Sequence, residues 1–248
     1  MYIVEIKDIS ETKTDHTQFE ILLQYVDKNE SHYIFKFRKE KILLNGESPE
    51  LKVYNLASKC TSLFFDVEVG IDKNGLLSHI HNYREIYSKW KTLKQNLCKL
   101  YEDALSQQYI DEINTVIENR DILVFYMRKE IFLQFYFSVY FKRYSKGKSE
   151  NISNFFFDEI QYENSYEIGI NDELIMIKQE SKSVDKRGLH ESFGNIKSTQ
   201  QEHDEGEVPE SAITAKYLLD KNKKILQTAE IKVESSGNDT KEIHIHLK

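Results

Sequence analysis

GIDKNGLLSHI, residues 70–80, places an Asp-Lys pair between two runs of strand-forming residues, and the same arrangement recurs in YVDKNESHYIF (25–35), SVDKRGLHESF (183–193) and LLDKNKKILQT (218–228). Aspartate suits the first position of a tight turn, because its carboxylate accepts a hydrogen bond from a backbone N–H two residues on. Lysine tolerates the next, right-handed position, and Asn or Gly takes the left-handed conformation that closes a short hairpin. Each site therefore reads as a hairpin tip whose carboxylate faces water, rather than as a catalytic or metal-binding aspartate. Ser235, Gly237 and Asn238, and Asn45 with Gly46, mark two further turns.

Working outward from the tips predicts strands near 1–9, 18–26, 31–43, 62–71, 76–81, 173–184, 189–200, 213–219, 225–234 and 241–247. The last shows the pattern most plainly. Ile243, Ile245 and Leu247 fall on one face and His244, His246 and Lys248 on the other, as in a half-buried antiparallel strand.

Between the two strand groups the hydrophobic period changes. Ile86, Trp90, Leu93, Leu97 and Leu100 recur at steps of three and four, which predicts a helix over 83–104 with Asn82 and Glu85 as a capping box. A second helix, 107–119, follows from Tyr109, Ile110, Ile113, Val116 and Ile117, and Asp121 is placed to cap a third. From Ile131 to Phe141 every odd residue is apolar, a pattern that also fits a strand; helix is the reading adopted, with the aromatic residues as core rather than as a cofactor box. Residues 145–172 read as a connector in which Phe155, Phe156 and Phe157 dock on the sheet, and 198–211 as a polar, mobile loop.

The expected fold class is thus α+β: a curved, half-barrel-like antiparallel sheet of hairpins with about three helices inserted between its N-terminal and C-terminal strand groups. One domain, 1–248, is expected, with hairpins over 1–81, helices over 82–144, and the connector and meander over 145–248. Hairpins, then helices, then a longer meander is an order that resembles the half-barrels of periplasmic lipoprotein carriers, which implies a bent sheet wrapped around helices and, by itself, no function.

The composition is globular, with 40% apolar and 12% aromatic residues against two prolines. A formal charge of -7 argues against a general nucleic-acid binder, which needs a basic face for phosphates, and suits a basic protein partner. MYIVEIKD has no basic segment followed by an apolar one, so a cytoplasmic location is expected. The apolar block from Ile122 to Phe141 is interrupted by Arg128, Lys129 and Glu130, which excludes a membrane-spanning helix there. Cys60 and Cys98 lack C-x-x-C spacing and read as reduced and buried.

Two H-x-H pairs carry the strongest chemical signal. On a strand, His79 with His81 and His244 with His246 each project from one face, and on neighbouring strands the four imidazoles would converge on a zinc or other transition metal. The isoleucines between them must face the core, however, which leaves the imidazoles on the wetted side, so no metal, cofactor or catalytic residue is assigned. Asp66 with Glu68 and Glu5 with Asp8 are spaced as surface charges, and no phosphate-loop, dinucleotide, nucleophile-elbow or zinc-protease motif is present. The functional expectation is a non-catalytic protein that binds another protein, such as an immunity protein, adaptor or chaperone linked to a toxin or secretion system. A carrier of an apolar small molecule, held between the sheet and 122–141, is the second expectation, and a metalloenzyme using the paired histidines the third.

Overall fold

Tyr2, Val4 and Ile6 are buried while the residues between them are half-exposed, the alternation that makes Tyr2–Ile9 a strand (β1) with one face inward. The computed structural model describes residues 1–48, 52–142, 144, 148–154, 161–184, 210–235 and 239–248. After β1 come β2 (Thr14–Lys28), β3 (His32–Leu44), α1 (Lys52–Thr61), β4 (Val67–Asp72), β5 (Leu77–Ile80), α2 (Tyr83–Leu100), α3 (Ala104–Glu118), α4 (Arg120–Arg128) and α5 (Ile131–Ser138). Six strands follow: β6 (Lys148–Asn154), β7 (Gln161–Ile170), β8 (Leu174–Ser183), β9 (Ser211–Asp220), β10 (Leu226–Ser235) and β11 (Thr240–Leu247). They hydrogen-bond in the order β5-β4-β3-β2-β1-β11-β10-β9-β8-β7-β6, an antiparallel sheet that does not close. The fold class is α+β, with helices between the N-terminal and C-terminal strands.

The chain divides into two compact units: Met1–Val4, Thr17–Phe141 and Lys248 form unit 1, and Glu5–His16 with Lys142–Leu247 form unit 2. In unit 1, β2, β3, β4 and β5 pair in antiparallel succession. Its core is aromatic: Phe137 of α5 lies 4.9 Å from Phe35, Phe132 lies 5.4 Å from Tyr2, and Tyr33 lies 5.3 Å from Phe141. α5 buries Phe132, Leu133, Phe135 and Phe137 while Gln134, Tyr136 and Ser138 stay half-buried, so the alternation read at 131–141 belongs to a helix with apolar residues on more than one side. α2 buries Ile86, Trp90 and Leu97, and Trp90 Nε1 donates to Asn114 of α3 at 2.9 Å. The expected stripe ends there, because Leu100 is exposed. No helix among the described residues is long and apolar enough to cross a membrane.

Unit 2 is a meander in which β6 to β11 pair antiparallel in sequence order. Its buried positions alternate along each strand: Tyr162, Asn164 and Tyr166 on β7; Ile177, Gln179 and Ser181 on β8; Ile213, Ala215, Tyr217 and Leu219 on β9; and Ile243 and Ile245 on β11.

Several local expectations are corrected. The helix α1 and the 3-10 turn Ser62–Phe65 occupy positions where no element or a strand is expected, and β6 and β7 stand where the sequence suggests a connector. Asn82 makes no side-chain cap; it accepts from Glu68 N–H at 2.9 Å and donates to the Asp66 carbonyl at 3.0 Å, tying α2 to β4. Asn119, not Asp121, caps α4, accepting from the N–H groups of Asp121 and Ile122. The tip expected at 183–193 from Asp185 onward, the strand at 189–200, Phe155 to Phe157, Gly237 with Asn238, and nearly all of the 198–211 loop lie outside the described residues.

Candidate functional site

The Asp-Lys tips come first, because their carboxylates decide between scaffold and chemistry. Asp72 Oδ1 accepts from the N–H groups of Asn74 at 2.8 Å and Leu76 at 2.9 Å, and Gly75 closes that turn with φ +85°. Asp220 Oδ1 accepts from Asn222 at 2.9 Å and Lys223 at 2.6 Å, and these backbone donors hold its carboxyl below the usual range. At the remaining described tip the neighbour takes over: Asn29 Oδ1 accepts from Ser31 N–H at 3.0 Å and His32 N–H at 2.8 Å, while Asp27 sits at the end of β2. All three are turns.

The histidines fare differently. Ile80, Ile243 and Ile245 are buried, as the alternation requires. His79 and His81 belong to unit 1, where β5 pairs with β4, whereas His244 and His246 belong to unit 2 on β11, which pairs with β10, so the two H-x-H pairs are not on neighbouring strands. His244 lies opposite Glu230 across that ladder, on the solvated face with Lys216 and Lys232. His79 and His81 instead acquire partners that sequence spacing does not reveal. His32, at the start of β3, places its ring 5.9 Å from His79 and 6.4 Å from His81, and the His79 and His81 rings are 4.7 Å apart.

Arg120, the first residue of α4, reaches into this cluster. Its Nη2 contacts both ring nitrogens of His79, at 3.0 Å from Nδ1, and donates to the Ile80 carbonyl at 3.2 Å. Arg128, at the other end of α4, donates from Nε to the Leu77 carbonyl at 2.7 Å, so α4 is tied along the edge strand by both guanidiniums. Ser31 Oγ lies 2.7 Å from His32 Nδ1. Space for the crowding comes from Gly70, directly across from His79 in the ladder: a Cβ there would stand 3.0 Å from His81 Nε2 and 3.1 Å from His79 Cβ. That Nε2 is shielded from solvent and has no hydrogen-bond partner among the described residues. Burial, then Arg120 and the neighbouring imidazoles, hold His79 below its ordinary range; burial, then His32, do the same at His81, with Glu68 acting in the opposite sense. No group of three or more His, Cys, Asp or Glu is arranged to hold a metal ion among the described residues.

Unit 2 contains a second polar cluster that the sequence reading does not identify. Asn164 Oδ1 accepts from Gln179 Nε2 at 3.1 Å and from Ser181 Oγ at 2.8 Å, and Tyr217 OH donates to Gln179 Oε1 at 3.2 Å. Lys142 Nζ hydrogen-bonds Tyr166 OH and lies 4.4 Å from that ring's centre, while the Tyr144 ring packs edge-on at 5.6 Å. Burial pushes the Lys142 amine down to about 8 and raises the Tyr144 and Tyr166 hydroxyls. The available signal is the period-2 run YENSY at 162–166, whose inward set is polar and aromatic rather than aliphatic.

A third feature lies on α4. Leu123, Val124 and Met127 are buried, yet Ile122, Phe125 and Tyr126 on the other face are 39%, 42% and 41% exposed, with Lys129 Nζ 4.6 Å over the Phe125 ring. The cysteines are free thiols, with Cys60 buried and raised to about 11 by desolvation and by Cys98, which is half-buried. Asp66 engages Lys36 at 3.2 Å and Arg38 at 3.6 Å in surface pairs.

No protein-family model matches the chain, and no curated protein is similar to it.

Proposed function

We propose that the protein acts by holding another protein and performs no chemistry of its own. The observation that carries this reading is the outward face of α4, where Ile122, Phe125 and Tyr126 stand at the i, i+3, i+4 spacing of one helical stripe while the opposite face is anchored in unit 1. Large apolar side chains gathered on one exposed stripe are what a partner's surface buries, and aromatic residues dominate the energetics of such contacts. The charge of -7 supports a basic partner whose approach is steered by complementary potential. Within this reading the setting is that of an immunity protein, adaptor or chaperone serving a toxin or secretion system, in the cytoplasm.

The test compares the wild-type chain with the double variant Ile122→Ser, Phe125→Ser in pull-downs from the native host. A stoichiometric partner retained by the first and lost by the second is the expected result. Recovery of no stoichiometric protein, or of the same protein by both, overturns the reading.

A second reading, a carrier of a small molecule, is favoured by the Lys142, Tyr166, Asn164 and Gln179 cluster of unit 2. Such a ligand would carry polar groups as well as apolar ones, because the buried face there presents an amine, hydroxyls and amides. Beside 122–141, Phe132 and Phe137 of α5 pack on Tyr2 and Phe35. Native mass spectrometry of gently purified protein decides this: a bound mass lost in Gln179→Leu supports it, and the bare chain mass alone removes it.

A further inference from the structure

We propose that the face of β3, β4 and β5 in unit 1 carries a binding site for a phosphate-type oxyanion, held by His32, His79, His81 and Arg120. The proposal is independent of the α4 stripe and of any protein partner. It rests on three features of the cluster: the nitrogen groups gathered around the Arg120 cation, their crowding, and an imidazole nitrogen without a hydrogen-bond partner among the described residues.

Four nitrogen-bearing side chains converge from three elements and the turn after β5, with ring spacings of 4.7–6.4 Å and Arg120 Nη2 on the edge of His79. Burial, and the repulsion of like charges so gathered, make His79 and His81 resist protonation unless an anion stands among them. The carboxylates on the same face do not fill that role fully. Asp72 lies opposite His32 in the ladder, but its Oδ1 is engaged by the N–H groups of Asn74 and Leu76. Glu68, opposite Lys36, acts on His81 only as a minor influence beside burial and His32.

Shape points the same way. Gly70 has no left-handed backbone to explain it; what its position demands is the absence of a side chain, because any Cβ would meet His81 Nε2 at 3.0 Å. The glycine lets that imidazole lie against the sheet with Nε2 shielded and unbonded, at the cost of an unsatisfied polar atom. An acceptor seated between His81, His79 and Arg120 supplies the missing bond once the ring turns away from Gly70 and takes up a proton.

The donor set selects the ligand. A metal ion needs ring nitrogens with free lone pairs, and here a permanent cation occupies the His79 nitrogens. Guanidinium and imidazolium N–H groups instead suit a tetrahedral oxyanion, which offers several acceptor oxygens to donors arriving from different directions.

The test is imidazole NMR on the full chain at about pH 6, where histidines titrate, with sodium phosphate, glycerol phosphate and sodium chloride added at matched ionic strength. The expected result is saturable shifts of the His32, His79 and His81 resonances with phosphate or its ester, the titration midpoints of His79 and His81 rising by about one pH unit, while the His244 and His246 resonances stay unmoved. Arg120→Gln is expected to weaken binding by about tenfold or more, and Arg120→Lys to retain part of it. Should Arg120→Gln unfold, His81→Gln supplies the same comparison. Tighter binding of glycerol phosphate than of phosphate identifies a phosphorylated compound as the ligand, and equal binding identifies the free ion. Shifts that do not saturate, that appear equally in chloride, or that affect His244 and His246 alike overturn the proposal.

Discussion

Phe132, Phe135 and Phe137 seal the unit 1 core, and Trp90, Ile21 and Phe37 join them as fully buried side chains. In unit 2 the equally buried positions of β7 and β8 hold Tyr162, Asn164, Tyr166, Gln179 and Ser181. The two interiors are stabilised by different physics. Removing a ring from the first loses area and leaves a cavity, so the cost scales with volume. Removing one amide from the second strands its partners in a place without water, so the cost depends on which bonds are left unmade. A polar interior of this kind is a poor way to gain stability and a good way to dictate one arrangement, or to receive a polar ligand.

The contrast is broken most easily at Phe132. Phe132→Ala is expected to cost about 3–5 kcal/mol in urea denaturation, and a loss near zero would mean that the α5 aromatics are not the core. In unit 2, Asn164→Leu leaves Gln179 Nε2 and Ser181 Oγ without their shared acceptor, for an expected loss of about 1–3 kcal/mol. The triple variant Asn164→Leu, Gln179→Leu, Ser181→Ala should then recover much of that loss; if it is worse than the single change, the network is not the reason. At the tip that joins β4 to β5, Gly75→Ala forces a side chain onto φ +85° and to within 3.0 Å of the Phe137 carbonyl. It should cost about 1–2 kcal/mol by the same assay.

Lys142 gives the most pH-specific effect. Its folded amine titrates at about 8 against an ordinary 10.5, so between those values the unfolded chain holds a proton that the folded chain has released. More protons on the unfolded state mean stability that rises with pH across that window. Above 10 the sign reverses, because the buried Tyr144 and Tyr166 keep their protons after the unfolded hydroxyls have lost theirs. Urea midpoints measured at several values between pH 7 and 10 should climb in the wild-type chain and flatten in Lys142→Met; identical profiles would place the amine in water.

The legible parts of the fold are those where local chemistry and tertiary structure agree. Asp72 and Asp220 do what an aspartate before a turn does, and Ile243 and Ile245 alternate inward as written. Where the inward set is polar, as on β7, hydrophobic periodicity has nothing to detect, and the strand reads as a connector. The helix α1 is the reverse case, since Val53, Leu56, Ala57 and Cys60 carry a helical spacing that sequence analysis can recover. Asn82 shows a side chain whose local role was outbid by a longer-range bond to β4. The His32 cluster lies beyond any spacing rule. His32 meets His79 only because β3 pairs with β4 and β4 with β5, a consequence of register and not of neighbouring residues.

The two arginines of α4 have a bearing on self-association. β5 terminates the sheet, and an outermost strand is ordinarily a template on which another chain can polymerise. With guanidiniums fastened to the Leu77 and Ile80 oxygens, an incoming strand must first evict two charged donors, so fibril growth from that margin is opposed by the helix that lies along it.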